Sequence, residues 1–363
     1  MPQHSPLPPR LALTMGDVAG IGPEVLVRAL ADPRVREWSR PVVVGHPEVL
    51  RRAVALVGAP HVIRPINSLD ELPVEEALNS SQSSVSVAEI PCWNPAGEAA
   101  AEVPAGGLDP RAGRAAYDYL VAAARAALDG KLDAITTAPL NKAALHLAGL
   151  NFPGHTEILA EVCGVKEFGM MLYLPRGGPI QSPHGLGVVH VTLHTSLASV
   201  PGLISTAKVR EKIGLIDSFM REMDCPRPRI AVCALNPHAG ESGLFGDEET
   251  RLIAPAVEQA RHSDIDATGP LPADTLIKRA VGGEFDAVVA MYHDQGHIPL
   301  KLIAFDRAVN VTLGLPIIRT SPSHGTAFDI AWQGRARADG MLEAIRVAAI
   351  RVRGSRDVHR QCT

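Results

Sequence analysis

Leu11-Ala12-Leu13-Thr14-Met15 runs directly into Gly16-Asp17-Val18-Ala19-Gly20-Ile21-Gly22-Pro23-Glu24. The first five residues read as a short apolar strand. Gly22-Pro23-Glu24 opens a helix that continues to about Leu30, with proline in the first turn, where its missing N–H costs nothing. A strand that passes through glycines into a helix is the opening of an α/β unit. The alternation then repeats. Pro41 to Gly45, Asp133 to Thr136, Gly187 to Leu193, Arg229 to Leu235 and Asp286 to Tyr292 read as buried strands. Arg114 to Leu128 is an alanine-rich helix that stops at Asp129-Gly130, a C-cap signal. Further helices fall near Ala207 to Glu222 and Glu248 to Ala260. Strands alternating with helices predict a mainly parallel, doubly wound sheet. No internal repeat is present. Ser80 to Ser86 reads as a polar surface loop, and the Gly/Pro-rich Arg176 to Gly185 as a loop insertion or hairpin.

Composition narrows the function classes. The chain has 363 residues, 46% hydrophobic and 20% charged, which is room for two domains or one large α/β domain. Aromatic residues make up only 4%, which disfavours base-stacking recognition of nucleic acid. A net charge of −4 argues against a polyanion-binding surface but leaves room for a local anion pocket. No run of 18 apolar residues suggests a membrane span. Met1 to Arg10 is Pro-rich, lacks an apolar signal core and reads as a disordered lead-in. Five widely spaced cysteines without a Cys-x-x-Cys fit a reducing, cytoplasmic setting. Cys233 reads as a small core residue of its strand.

Three histidines sit where a strand pattern gives way to a turn: His194 in Val189-His190-Val191-Thr192-Leu193-His194, His238 in Asn236-Pro237-His238-Ala239-Gly240, and His293 in Met291-Tyr292-His293-Asp294-Gln295-Gly296. Projecting from the ends of neighbouring strands, three neutral imidazoles can hold a divalent metal with an open position for substrate. Alternatively each satisfies a local hydrogen bond. The Gly16–Gly22 loop lacks the Gly-x-Gly-x-x-Gly pattern, which disfavours a Rossmann cofactor site. It is either a backbone cradle with free N–H groups or a tight strand-to-helix turn. Phe152-Pro153-Gly154-His155-Thr156-Glu157 precedes a helix and suits an anion, unless Thr156 is simply its cap. Lys301, Asn310 and Arg319 follow. The two cations interrupt apolar runs, Ile298 to Phe305 and Leu313 to Ile318, and a buried charge demands a carboxylate, phosphate or similar partner. Ser323-His324-Gly325-Thr326-Ala327-Phe328-Asp329-Ile330-Ala331 is a small-residue loop that reads as running into a helix.

These motifs, in this order, resemble the 4-hydroxythreonine-4-phosphate dehydrogenase family (PdxA). The resemblance spans about Leu11 to Val347. It is most specific at Gly-His-Thr-Glu 154–157, Asn-Pro-His-Ala-Gly-Glu 236–241, Tyr-His-Asp-Gln-Gly 292–296 and Asn310 to Arg319. It implies an isocitrate/isopropylmalate dehydrogenase-like α/β fold, with two doubly wound domains flanking an active-site cleft. Residues 11–150 and 300–352 would form the first, cofactor-side domain. Residues 151–299 would form the second, on the metal and dimer side, and 353–363 a C-terminal tail. The resemblance further implies that His194, His238 and His293 bind metal across a homodimer interface. His155, Thr156, Lys301, Asn310 and Arg319 would bind substrate. His324, Gly325, Thr326, Ala327 and Asp329 would hold the adenosine side of the cofactor.

Segments 241–246 and 293–299 look like the branch of the family that acts on 4-phospho-D-threonate and 4-phospho-D-erythronate, and 190–197 departs from the form of the enterobacterial vitamin B6 enzymes. The expected activity is therefore oxidation and decarboxylation of a phosphorylated four-carbon hydroxy acid. The cofactor would be NAD, with NADP as the alternative. The metal would be zinc, with magnesium, manganese or cobalt as alternatives. Lys301 and Asp294 are the expected catalytic residues, Asp294 foremost as the orienter of a metal ligand. The alternative is the vitamin B6 enzyme itself; more distant are a metal-dependent hydrolase and a non-catalytic binding protein. The expected partners are the small substrate and a second copy of the chain, with no nucleic acid and no membrane.

Overall fold

The computed structural model describes residues 7–73 and 89–361, with side chains described up to residue 357. The polar stretch at 80–86 lies outside the described residues. The chain divides into two compact units. One comprises the residues up to Lys166 together with Leu315–Val352; the other comprises Glu167–Gly314 and the residues from Arg353 onward.

The first unit contains strands β1 (Arg10–Thr14), β2 (Arg40–Val44), β3 (Val62–Ile66), β4 (Glu89–Trp93), β5 (Ala134–Thr137) and β12 (Ile318–Pro322). They lie in the order β3-β4-β2-β1-β5-β12, and every registered pair is parallel. Leu11, Ala12 and Leu13 of β1 are fully buried, as a parallel strand covered on both faces requires. Helices α1 (Gly22–Leu30), α2 (Pro47–Val57), α3 (Pro110–Leu128) and α4 (His155–Cys163) supply that cover. Helix α3 is capped by the Asp109 carboxylate, which accepts from the Arg111 N–H, and buries Ala112, Ala115, Ala116, Tyr119 and Ala123.

The described end of the expected lead-in is part of the fold. Arg10 already belongs to β1, its N–H donating to Asp133, and the Pro9 carbonyl accepts from the Arg40 N–H.

The second unit contains β6 (Gly169–Leu174), β7 (Leu186–His190), β8 (Ile230–Cys233), β9 (Ala267–Leu271), β10 (Ala287–Ala290) and β11 (Val309–Leu313), in the order β11-β6-β7-β10-β8-β9. Strands β7, β10, β8 and β9 run parallel, whereas β6 is antiparallel to both β11 and β7. The Arg176–Gly185 loop is therefore the connection of an antiparallel pair, closed by a bridge between Gly177 and Ile180. Its helices are α5 (Thr206–Glu222), α6 (Ala254–His262), α7 (Ala273–Val281) and α8 (His293–Ala304). The last helix, α9 (Asp339–Gln361), continues through the residues expected to form a tail.

The chain crosses between units after Lys166, after Gly314 and, within α9, after Val352. His155 and Thr156 thus lie in the first unit and Lys301 and Asn310 in the second, the reverse of what crossings near 150 and 300 imply. Helix α4 packs on α3, and β11 pairs with β6; these contacts fix each segment's membership.

Candidate functional site

Two groups of side chains stand out, one in each unit. In the first unit, Arg319 is the second residue of β12 and is only 2% exposed. Its register opposite Ile135 lets its Nη2 donate to Thr137 Oγ1 at 2.8 Å, at the carboxyl end of β5. Burial pushes its pKa down to about 10, while nearby Glu157 favours the charged form. His155 opens α4 beside it, and its Nε2 pairs with the Ala138 carbonyl at 3.2 Å. Since a carbonyl only accepts, Nε2 carries the proton and Nδ1 offers a lone pair. Burial, reinforced by Arg319, holds His155 well below its usual range, so it is neutral at pH 7. Thr156 does not cap the helix: the N-cap is Gly154, with no side-chain cap bond. Lys142 is a further cation facing His155. Nothing in the sequence pointed to it, because it sits on an exposed helix face.

The glycine loop is a structural turn. The N–H groups of Asp17, Ala19, Gly20 and Ile21 donate to Pro139 O, Asp17 Oδ1, Asp17 O and Thr326 O, so no free N–H cradle remains at these positions. Gly16 is left-handed, φ +67°, and a Cβ there would lie 2.3 Å from the Pro139 carbonyl. The loop instead braces the segment expected to hold a cofactor. Thr326 is buried against Gly20, Trp332 Nε1 donates to Val18 O at 2.9 Å, and the Trp332 N–H donates to Glu24. His324 Nδ1 pairs with the Gly325 carbonyl, Ala327 is left-handed, and Gly325 and Asp329 are exposed. The segment passes into turns over 328–334, not into a helix, because left-handed backbone at Ala327 and Trp332 breaks helical continuation. Asp17, fully buried with one unpartnered carboxyl oxygen, is pushed up to about 6 by burial, against the lowering effect of the Ala19 N–H.

In the second unit, β7, β10 and β8 are neighbouring parallel strands, and the segments beyond their carboxyl ends carry His194, His293 and His238. Ligands gather at such ends of α/β sheets. His293 begins α8, and its Nδ1 donates to Asp294 Oδ1 at 2.7 Å. This leaves Nε2 with its lone pair, the form a metal ligand takes. The His194 and His293 ring centres are 5.8 Å apart. Two imidazoles bound to one tetrahedral ion, with nitrogens about 2 Å from it, hold their centres roughly 5 Å apart. The separation of this pair is close to that distance.

His238 does not join the pair. Among the described residues no three histidine, cysteine, aspartate or glutamate side chains converge as a cage, and the His238 ring sits 6.5 Å from that of Phe245. The His238 backbone explains the separation. His238, Ala239, Gly240, Glu241 and Ser242 all have positive φ, from 44° to 78°, a left-handed turn. Left-handed backbone costs roughly 1–2 kcal/mol per non-glycine residue, so something must hold it. Glu249 does: its Oε1 accepts from the N–H groups of Leu235 and Asn236, and its Oε2 from Asn236 Nδ2. Strain spread over His238, Ala239, Glu241 and Ser242 is of the kind that collects at binding loops. Glu249 escaped notice in the sequence because only tertiary structure brings it back to that turn.

Two further histidines stand behind His293. His190 is fully buried in β7 and His297 nearly so in α8, with His297 Nδ1 3.1 Å from His190 Nε2. Burial lowers the two to about 3 and about 4 respectively, so both are neutral at pH 7.

Lys301 departs from expectation. It is exposed on α8, and its apolar neighbours Ile298, Leu302 and Phe305 are exposed with it. The apolar run lies in a helix, so Leu300 faces inward while Lys301 shares the outer face. Asn310 is half-buried on β11, with a buried, unpartnered Oδ1.

Comparison with known proteins accounts for this combination. The family profile described as "Pyridoxal phosphate biosynthetic protein PdxA" matches residues 37–348. A 4-hydroxythreonine-4-phosphate dehydrogenase of Geobacter metallireducens is 47% identical, over 96% of this chain and 97% of its own. A D-threonate 4-phosphate dehydrogenase of Salmonella typhimurium is 45% identical, over 93% and 97%. The crystal structure of a 4-hydroxythreonine-4-phosphate dehydrogenase from Burkholderia phymatum superposes with a TM-score of 0.76 at 44% identity, covering 95% of this chain and 98% of that one. With two α/β units, a buried arginine in one and a histidine pair in the other, matched along nearly its whole length, the chain belongs to the PdxA family.

Proposed function

We propose that this protein oxidises and decarboxylates a phosphorylated four-carbon hydroxy acid of the 4-phospho-D-threonate or 4-phospho-D-erythronate type, with NAD as hydride acceptor. The coarser statement follows from its family: it is a dehydrogenase acting on a phosphorylated four-carbon hydroxy acid, either 4-hydroxythreonine 4-phosphate or D-threonate 4-phosphate. The observation that carries this reading is the buried Arg319 beside Thr137 and His155, set to receive a phosphate; its metal-assisted part rests on His293, beside His194, with Nδ1 tied to Asp294.

In this reading His194 and His293 hold a divalent ion, zinc first, and His238 of a second copy completes the set. The strained His238 turn and the exposed face of α8, with Leu302 83% exposed, support a homodimer. A bound divalent ion supplies Lewis acidity toward the hydroxyl and the adjacent carboxylate. Asp294 fixes the His293 tautomer. Arg319 and Thr156 hold the phosphate; neutral His155 both donates and accepts hydrogen bonds there without adding charge. Asn310 and Lys301 are further substrate contacts, and His324, Gly325, Thr326, Ala327 and Asp329 line the adenosine side of NAD. Hydride leaves the carbinol carbon, its hydroxyl proton passes to solvent, and the β-keto acid loses carbon dioxide. The described cysteines are free thiols, in keeping with a reducing cytoplasm. No helix among the described residues is long and apolar enough to cross a membrane.

The test is NADH formation at 340 nm from 4-phospho-D-threonate, 4-phospho-D-erythronate and 4-phosphohydroxythreonine, each with zinc, magnesium, manganese and cobalt. The highest kcat/KM should fall on one of the first two. Preference for the third would assign the protein to vitamin B6 synthesis. No NADH from any of them would reject the reading.

A further inference from the structure

Segments 190–197 and 293–299 meet at a pair of histidines, His190 and His297. We propose that His297, clamped by His190, is a positioning residue that fixes the ring plane of His293 and so aims its Nε2 at the metal. This inference rests on the metal reading above.

The argument begins with helix geometry. His293 and His297 are four residues apart on α8, so their side chains lie on one face, one turn apart. Their rings stack with centroids 3.8 Å apart and planes inclined by 10°. His297 would be a poor platform if it could swing, but it is pinned. Its Nδ1 is 3.1 Å from His190 Nε2, and His190 Nδ1 is 3.4 Å from the Met170 carbonyl. A carbonyl can only accept, so His190 carries its proton on Nδ1. In a neutral ring Nε2 is then the acceptor, and His297 Nδ1 must donate to it. The series runs one way, from His297 through His190 to the backbone of β6, and ties both rings to the sheet.

The packing is built for this arrangement. A Cβ on Gly296 would lie 2.4 Å from His190 Nε2 and 2.9 Å from Val188 Cγ1, so only glycine lets α8 approach closely enough. The neighbourhood is apolar, with Val188, Ala290 and Leu300 in one buried cluster. Two aliphatic side chains would fill it without the desolvation cost of two imidazoles. Asp294 cannot supply the same restraint, because its side chain is 65% exposed. An exposed pair of this kind sets a tautomer but contributes little rigidity.

The experiment measures zinc affinity by competition with a chromophoric chelator, and the visible spectrum of the cobalt(II)-substituted protein. Four variants are compared: His293→Ala, His297→Leu, His297→Gln and Leu300→Ala. His297→Leu should bind zinc 10- to 100-fold more weakly, as outer partners of metal-bound histidines typically do, with altered cobalt bands. His297→Gln keeps an N–H for His190 but no ring. It should fold even if the leucine variant does not, and still bind several-fold more weakly. Leu300→Ala loosens the same helix face without touching the stack and should leave affinity and spectrum unchanged.

Undiminished zinc binding by His293→Ala would overturn the metal reading, and this inference with it. Loss in His293→Ala, with wild-type affinity and spectrum in the His297 variants, would overturn this inference alone. So would equal weakening in the His297 variants and Leu300→Ala.

Discussion

Arg319 in β12 and Lys301 in α8 each accompany an apolar run, and the fold treats the two differently. The run Leu313–Ile318 is only partly covered, yet Arg319, which follows it into β12, is almost wholly buried with Thr137, His155 and Glu157 around it. In α8 the apolar residues divide by helical period. His297 and Leu300 turn inward, while Ile298, Leu302 and Phe305 remain exposed alongside Lys301. An apolar run is thus evidence of burial only once its period is known. A charge within it is a site marker in the strand and a rim residue in the helix.

The sharpest way to break this contrast is Arg319→Ala. Losing one charged partner of a buried anion costs about 2–5 kcal/mol. The KM for phosphorylated substrate should therefore rise roughly 30-fold or more, with NAD affinity from fluorescence titration unchanged. An equal loss in NAD affinity would mean that Arg319 supports the unit as a whole.

The outer face of α8 is tested by Leu302→Asp. If a second copy covers that face, sedimentation velocity will show a dimer in the wild type and a monomer in the variant, with an unchanged circular dichroism spectrum. A wild-type monomer at micromolar concentration would remove the partner from the account.

Asp17 extends the contrast to a buried acid. Its pKa is raised from 3.8 to about 6, so its contribution to stability is fully present below about pH 4 and is lost as pH rises through 6. Asp17→Asn abolishes the ionisation. It should gain on the wild type between pH 4 and 8, by about 3 kcal/mol at most. Urea unfolding at several pH values measures this, and a gap independent of pH would show that Asp17 is not held in its neutral form.

The smallest effect is expected at Lys301. An exposed point charge contributes roughly 0–1 kcal/mol, so Lys301→Ala should cost less than about fivefold in kcat/KM, and less still in high salt. A loss matching that of Arg319→Ala would place Lys301 in a buried setting after all.

Much of the fold was legible in the sequence because parallel strands buried on both faces are continuous apolar runs. β1, β2, β5, β7, β8 and β10 all lie within or next to the segments that pattern marked. Strands β3, β9 and β11 carry proline, glycine or polar residues and left no such signal. Helix α8 was obscured by its own Pro299 and Gly296. At the site, the motif residues could be named, but their environments could not. The loop at Gly16–Gly22 reads the same whether its N–H groups are free or spent on Pro139 and Thr326. The pairing of His190 with His297 spans 107 positions, and the bracing of His238 by Glu249 depends on a backbone turn that no residue pattern announces.

The central claim is that a buried arginine reads a phosphate on the substrate, and wild-type specificity tests it most directly. The quantity is kcat/KM for 4-phospho-D-threonate relative to unphosphorylated D-threonate, followed as NADH at 340 nm with zinc present. If Arg319 with its Thr137 and His155 neighbours holds the phosphate, the ratio should be roughly 30-fold or more, as 2–5 kcal/mol of charged recognition requires. A ratio near one, or a preference for D-threonate itself, would contradict the account.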